Sequence, residues 1–135
     1  MEAWTRMDVT INVGGPDATV EDLRDLFRSL RGEEELRGRV ELVEAAPEPG
    51  TLGGWPDWLM VELSHSGAVT VLVSAVITWI RYRTGKMSIT IARSDGTSVW
   101  LDLDRIRDMD PAEVAKLVER TAAALGDDEY EGSAE

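Results

Sequence analysis

"AVTVLVSAVITWI", residues 68–80, is an uncharged run in an otherwise acidic chain, and the basic segment "RYRTGK" follows it at once. Its length favours a helix, because strands are mostly five or six residues long. Its many β-branched residues would also suit a strand, and insertion into a membrane is a third alternative. A membrane-spanning helix needs about 20 apolar residues, whereas Ser66 and Gly67 already interrupt this run. We therefore expect a strongly hydrophobic helix, with the other two readings as alternatives.

Four hydroxyl side chains recur at every fourth position along this helix, namely Ser66, Thr70, Ser74 and Thr78. Residues four apart lie on one face of a helix, so these side chains would form a narrow stripe. A helix that is apolar on its other sides must be covered there, which leaves the stripe facing outward. Together with apolar neighbours it is a candidate contact surface for a partner. In the alternative interpretation, the chain's own segment "WPDWLMVEL" (residues 55–63) packs over the stripe.

The N-terminal half predicts two strands around an amphipathic helix. "DVTINV" (residues 8–13) alternates apolar and polar side chains with the period of a strand. In "DATVEDLRDLFRSLRG" (residues 17–32) apolar residues recur at three- and four-residue spacing, and Gly32 ends the predicted helix. "GRVELVEAAP" then contains a short strand, and "PEPGTLGGWP" (residues 47–56) reads as a loop within the domain.

The segment "KMSITIARSDGTSVWLDL" (residues 86–103) predicts a hairpin. A two-residue turn would place apolar and polar side chains on the same face. A three-residue loop at residues 94–96 instead pairs Ile91 with Val99, so that the faces agree. Trp100 then lies on the opposite, outer face of the sheet, where a large aromatic side chain is a candidate partner contact. Alternatively, Trp100 covers Thr90 across the strands or lies under the N-terminal residues.

The C-terminal helix carries start and stop signals. Asp110 is the predicted N-cap, Pro111 occupies the first helical position, Glu113 completes a capping box, and Gly126 ends the helix. The remaining residues, 127–135, are small and acidic, and they predict a disordered tail.

Together these elements predict an α+β fold of two layers in the order β-α-β-α-β-β-α. A sheet of about four strands, mixed in direction, would carry three helices on one face, with the hydrophobic helix in the centre. Residues 1–126 would form a single α/β domain, since the 135 residues suffice for one two-layer core.

The amino-acid composition disfavours several classes of function. The formal net charge of −12 disfavours binding to nucleic acid, whose backbone would be repelled. The chain has no cysteine, which excludes disulfides and thiolate metal sites and fits a reducing cytoplasm. The N-terminal "MEAWTRMDVT" lacks the features of a secretory signal. We therefore expect a cytoplasmic protein without a membrane or nucleic-acid partner.

No motif predicts a catalytic or metal site. His65 stands between Ser64 and Ser66, but adjacent helical residues do not face each other, so a polar helix start is the preferred interpretation. The acids of "LDLDRIRDMD" (residues 101–110) lack the spacing of a calcium loop and are explained by strand alternation and capping. "VGGPDA" lacks the third glycine of a dinucleotide fingerprint. We therefore expect no cofactor, no metal and no catalytic residues.

Several strings together resemble the effector-associated constant component family of bacterial conflict systems. They are "DLRDLFRSLRGEEELRGRVEL" (22–42), "GTLGG" (50–54), the helix ending in "WIRYR" (79–83) and "ITIARSDGTSVWLDLDRIRD" (89–108). The resemblance covers residues 8–125 and implies a non-enzymatic adaptor from an antiviral-type defence system, typical of actinobacteria. Its expected partners are a variable effector such as a peptidase and a sensor protein.

Two other functions remain open from the residues alone. The hydrophobic helix could make the chain a self-associating scaffold, that is a homo-oligomer, or a subunit that contacts a membrane. An unrecognised hydrolase that uses His65 is the third possibility.

Overall fold

The computed structural model describes residues 7–43 and 58–127, and within them five strands and four helices. A short 3-10 turn follows the first helix, and a π-helical turn follows the last. The elements are β1 (Met7–Gly14), α1 (Val20–Arg31), the 3-10 turn (Glu34–Leu36), β2 (Val40–Val43), β3 (Trp58–Leu63), α2 (Ser66–Arg81), β4 (Ser88–Arg93), β5 (Ser98–Asp102), α3 (Leu103–Arg107), α4 (Pro111–Ala122) and the π-helical turn (Ala123–Asp127).

The strands form one sheet in the order β2-β3-β1-β4-β5, and every neighbouring pair is antiparallel. The α+β class is confirmed, whereas the prediction of a four-stranded mixed sheet was wrong. Helix α1 connects β1 to β2 and helix α2 connects β3 to β4, and in each case one antiparallel strand lies between the two that the helix joins. The crossovers therefore create no adjacent parallel strands.

The structure has one strand more than predicted, and the additional strand is β3. Leu59, Val61 and Leu63 are buried, but Trp58 and Met60 on the other face are also apolar, so polarity hardly alternates along this strand. This segment pairs with β1 and β2 in the sheet. The alternative in which it packs over the hydroxyl stripe was therefore wrong for residues 58–63, and residues 55–57 lie outside the described part of the chain.

All buried strand residues point toward one face of the sheet, and the helices cover that face. Helix α2 is central, because it contacts α1 on one side and α4 and α3 on the other. Its inward side chains are fully or almost fully buried: Ala68, Val69, Leu72, Val73, Val76, Ile77 and Ile80. Burial of so many large apolar side chains is the main stabilising term of such a core.

The expected helix at the uncharged run is confirmed as Ser66–Arg81. The strand reading of this segment is therefore wrong. Within the described residues, none of the helices combines the length and the apolar character that crossing a membrane requires.

The predicted hairpin register is confirmed. Ile91 pairs with Val99, and Trp100 lies across from Thr90 on the outer face. Gly96 has a φ of 101°, the left-handed conformation that the three-residue loop needs. The Asp95 carboxylate accepts a hydrogen bond from the Thr97 N–H at 3.0 Å, which closes the turn.

The start of α4 is capped as predicted, whereas its end differs from the prediction. Asp110 and Glu113 form a reciprocal capping box, and Pro111 is the first helical residue. The α-helix ends at Ala122, before the predicted stop, and continues as the π-helical turn. Gly126 packs closely on α2 there, since a Cβ at this position would lie 3.3 Å from a methyl group of Val69.

The number of helices and the C-terminal tail are the two remaining points of comparison with the predictions. The structure adds the short helix α3, directly after β5, to the three that were predicted. Its start is capped by Asp102, whose carboxylate accepts a hydrogen bond from the Asp104 N–H at 3.2 Å. The tail predicted to begin at residue 127 lies, from residue 128 onward, outside the described residues.

Candidate functional site

A groove of about 550 Å³ lies between α1 and α2, and we call it the α1–α2 groove. Thr70, Ser74 and Thr78 line it from α2, while Ser29 and Glu33 line it from the end of α1 and the turn beyond. All five of these residues are exposed. Three of the four hydroxyl residues predicted as partner contacts thus lie together on one concave surface.

The fourth predicted hydroxyl residue, Ser66, is the first residue of α2, and its side chain lies outside the described part of the structure. The predicted apolar border of the stripe is present. Val71 and Ala75 are half-buried in the groove, and Trp79 forms its floor with an exposed fraction of 7%. Polar and apolar surface are therefore both available to a partner.

Tyr82 is one of the groove residues that sequence reasoning missed, together with Ser29, Glu33 and Arg83. The exposed fraction of Tyr82 is 77%, the largest of any large hydrophobic residue described. Tyr82 lies four residues after Thr78 and so continues the four-residue repeat of the stripe, which is the signal that could have identified it. An exposed tyrosine offers both an aromatic face and a hydroxyl group, a combination common in protein interfaces.

One end of the groove is built on a network of charged and aromatic side chains. Arg83 donates hydrogen bonds to Asp22 at 2.6 Å and to Asp25 at 2.9 Å. Its guanidinium group lies 4.5 Å from the centre of the Trp79 ring, within the range of a cation–π interaction. Trp79 in turn donates to Asp25 at 2.9 Å. The network ties the start of α1 to the end of α2.

The network lowers the pKa of both carboxyl groups. For Asp22, burial alone would raise the pKa, but hydrogen bonds from Arg83 and Thr19 outweigh it and the net pKa is lowered. For Asp25, the hydrogen bond from Trp79 is the largest cause of the lowered pKa, and the charge of Arg83 adds to it. Both acids therefore favour the ionised form at neutral pH.

The outer face of the sheet carries the remaining predicted contact, Trp100. Its exposed fraction is 63%, although Thr90 lies directly across on the neighbouring strand. The cross-strand pair therefore leaves most of the indole accessible. The alternative in which Trp100 lies under the N-terminus involves residues 1–6, which lie outside the described part of the chain.

Acidic side chains are spread over the same outer face, with Asp102 two residues from Trp100 on β5 and the others on the more distant strands β1, β2 and β3. The pairing register places Asp8 across from Glu62, Glu41 across from Met60, and Asp102 across from Ser88. Arg39 forms an ion pair with Glu62 at 3.7 Å at one edge of the sheet. Four carboxylates on one face make it electronegative overall, in line with the net charge of −12.

The residues considered for catalysis have structural roles. The His65 Nδ1 atom accepts a hydrogen bond from the Ala68 N–H at 3.2 Å, so this histidine caps α2, in agreement with the preferred interpretation. Asp110 caps α4. Across the described residues, no three His, Asp or Glu side chains come together as ligands for a metal ion.

The "VGGPDA" segment is also structural. The backbone of Asp17 donates to the Lys86 carbonyl at 3.1 Å, and the Asp17 carboxylate accepts from the Lys86 N–H at 2.7 Å. Gly15 has a φ of 112°, and a Cβ there would lie 2.8 Å from the Lys86 carbonyl oxygen. The glycine thus allows two loops to pack closely, which explains the segment without a nucleotide.

Comparison with known proteins gives one match. The profile of the family described as Effector Associated Constant Component 1 matches residues 14–122. This range runs from the last residue of β1 to the end of α4 and includes both sides of the α1–α2 groove and Trp100. No curated protein and no solved structure gives a significant match.

Proposed function

The chain belongs to the Effector Associated Constant Component 1 family, and we propose that it is a non-enzymatic adaptor that binds a variable effector protein, such as a peptidase, in a bacterial conflict system. The observation that carries this proposal is the family match over residues 14–122, which includes nearly all of the described fold. The adaptor would couple the effector to a sensor or to assembly.

The outer face of the sheet is the surface that we assign to the effector. Trp100 projects from it with most of its indole exposed, and tryptophan is one of the residue types enriched among binding hot spots. The carboxylates of Asp8, Glu41 and Asp102 lie on the same face. The fitting partner surface has an apolar pocket for an indole, a basic side chain beside it to meet Asp102, and further basic side chains across the rest of the sheet face.

The test uses the purified adaptor and the effector protein encoded beside it, with binding measured by titration calorimetry. We expect direct binding that Trp100→Ala weakens by at least about tenfold, because the variant removes the central aromatic contact. Binding should also weaken as salt rises, since the expected contact pairs carboxylates with basic groups.

Tyr82→Ala is the matched control, because it removes another largely exposed aromatic side chain, from the helical side of the molecule, and should leave effector affinity unchanged. Wild-type affinity in Trp100→Ala would refute the assignment of the surface. Absence of binding to the neighbouring effector would refute the adaptor function itself.

A further inference from the structure

A second pocket, of about 610 Å³, lies between the end of α1 and the start of β2, and we call it the α1–β2 pocket. Three arginines line it, namely Arg28, Arg31 and Arg37, together with Phe27, Val40 and two glycines. Among the described residues, no acidic side chain lines this pocket. In a chain with a net charge of −12, it is a local concentration of positive charge.

Two of the three arginines are available to a partner. Arg28 is paired with Asp25 at 3.4 Å. Within the described part of the chain, neither Arg31 nor Arg37 forms an ion pair, and both are exposed. The Arg31 guanidinium group lies 5.2 Å from the centre of the Phe27 ring, a contact that orients the group without neutralising its charge.

The pocket adjoins a sheet edge with unpaired backbone groups. Strand β2 is the last in the order β2-β3-β1-β4-β5, so among the described strands it is paired on one side only. The Glu62 N–H donates to the Arg39 carbonyl at 2.9 Å, and hydrogen-bonded and non-bonded residue pairs alternate along an antiparallel ladder. Val40 and Leu42 therefore direct their N–H and C=O groups away from β3, toward the free edge. Such an edge can accept an added strand.

The chain itself carries a segment of the complementary charge. Its C-terminal residues 127–135, "DDEYEGSAE", include five acidic side chains and no basic one. In an extended strand, Glu129 and Glu131 would lie on the same face, roughly 7 Å apart along the backbone. This spacing suits contact with two separate guanidinium groups, each of which can donate several hydrogen bonds to a carboxylate.

We propose that the acidic C-terminal segment of one copy binds the α1–β2 pocket of a second copy, as a strand added along the free edge of β2. Its carboxylates would meet Arg31 and Arg37, while its backbone would pair with Val40 and Leu42. The contact joins two different surfaces, so it links copies head to tail. It lies at the opposite edge of the sheet from Trp100 and does not depend on the effector contact.

The position of the segment favours binding between copies. The π-helical turn that ends at Asp127 contacts α4 and β5, whereas the pocket lies beside β2. Four strand spacings of about 4.8 Å separate β5 from β2, or roughly 19 Å, and a path around the molecule is longer. Residues 128–135 span at most about 27 Å when fully extended. Too few residues would remain to pair with β2 of the same copy.

The expected affinity is low. Both ion pairs are exposed to solvent, and exposed ion pairs contribute little. Three glutamates, residues 33–35, precede Arg37, and the net charge of −12 on each copy opposes association. We therefore expect a dissociation constant on the order of 0.1 mM at low salt.

The first experiment titrates a fluorescein-labelled peptide of residues 126–135 with the full-length chain and follows fluorescence anisotropy. We expect binding that Arg31→Gln/Arg37→Gln weakens by at least about fivefold, because both unpaired charges are removed. Arg105→Gln/Arg120→Gln is the matched control, since it removes two exposed arginines from α3 and α4 and changes the net charge equally. The control should change the affinity by less than about twofold, because salt screens distant charges.

Amide hydrogen exchange then distinguishes strand addition from general charge attraction. At about 1 mM unlabelled peptide, exchange of the Val40 and Leu42 N–H groups should slow by about tenfold. Exchange at Glu41 and Val43 should hardly change, because their N–H groups already face β3.

Sedimentation velocity tests whether the contact joins two copies. The weight-average sedimentation coefficient of the full-length chain should rise between about 0.01 and 0.5 mM and fall again when salt is added. Arg31→Gln/Arg37→Gln should sediment as a monomer over this range, whereas Arg105→Gln/Arg120→Gln should behave like the wild type.

Three results would overturn the proposal. Equal weakening of peptide binding by the two double variants would show only a general effect of charge. Unchanged exchange at Val40 and Leu42 would refute strand addition. A wild-type chain that stays monomeric up to about 0.5 mM would refute the contact between copies, and peptide binding would then assign the pocket to an acidic segment of another protein.

Discussion

The Trp79 indole donates a 2.9 Å hydrogen bond to the carboxylate of Asp25, a residue 54 positions earlier in the sequence. This bond joins α2 to α1 at the end of the groove beside Arg83. Arg83 binds the same Asp25 oxygen and lies over the Trp79 ring, so a single carboxylate orients two side chains that line the groove. The shape of this surface therefore depends on a contact between distant parts of the chain.

Trp79→Phe removes the indole N–H and retains an aromatic ring. We expect the free energy of unfolding to fall by at least about 1 kcal/mol, because the hydrogen bond is lost and the smaller ring leaves space at a site that is only 7% exposed. Urea unfolding followed by circular dichroism measures the change. Trp100→Phe is the matched control and should change stability by less than about 0.5 kcal/mol. Equal effects of the two variants would contradict a stabilising role for the hydrogen bond.

The lowered pKa values of Asp22 and Asp25 predict a loss of stability in acid. A carboxyl group whose folded pKa lies below its ordinary value near 3.8 stabilises the fold above that pH, and the contribution disappears as pH falls through the folded pKa. The double variant Asp22→Asn/Asp25→Asn lacks this term. The stability difference between wild type and variant should therefore shrink from pH 6 to pH 3, as measured by urea unfolding at each pH. A difference that is constant with pH would be inconsistent with the lowered values.

Gly15→Ala should destabilise the fold by at least about 2 kcal/mol. Its φ of 112° is unfavourable for alanine, and the added Cβ would lie 2.8 Å from backbone atoms of Lys86 and Met87. Gly38→Ala is the control, because Gly38 also has a positive φ but no atom lies within 4 Å of the added Cβ. This control should cost only about 1 kcal/mol. Thermal unfolding of both variants distinguishes the cost of the close contact from the cost of the backbone strain. Similar losses of stability in the two variants would show that the contact is unimportant.

Ile77→Ala and Thr78→Ala compare two neighbouring residues of α2, one buried in the core and one exposed in the groove. Ile77 is fully buried, so its truncation should lower the free energy of unfolding by about 3 kcal/mol. Thr78 is exposed in the groove, and its truncation should cost less than about 0.5 kcal/mol. Chemical denaturation of the two variants checks this. A large loss of stability for Thr78→Ala would mean that the groove is part of the core.

The elements predicted correctly from the sequence depend on short-range patterns. The length and apolar character of residues 68–80 predicted α2, and the alternation on both sides of the loop at 94–96 predicted the pairing of Ile91 with Val99. The cap at Asp110 needs only residues within the first turn of α4. In each case the interacting groups lie within a few positions of one another or in one hairpin.

The features that depend on contacts between distant segments were decided by the tertiary structure alone. Strand β3 escaped notice because Trp58 and Met60 make both of its faces apolar, and only its pairing with β1 and β2 shows its place.

The sequence by itself determined that a hydrophobic helix must be covered on most sides, and it left open whether the hydroxyl stripe faces outward or is covered by the chain's own segment 55–63. The folded chain decided that α1 borders this stripe, that Tyr82 ends it in solvent, and that Asp25 joins Trp79 and Arg83 beside it. The physical reason is the sequence separation over which each kind of interaction acts. Helix periodicity and capping act between residues three or four positions apart, whereas a groove is made by side chains from segments more than 30 positions apart, whose meeting depends on how the whole core packs.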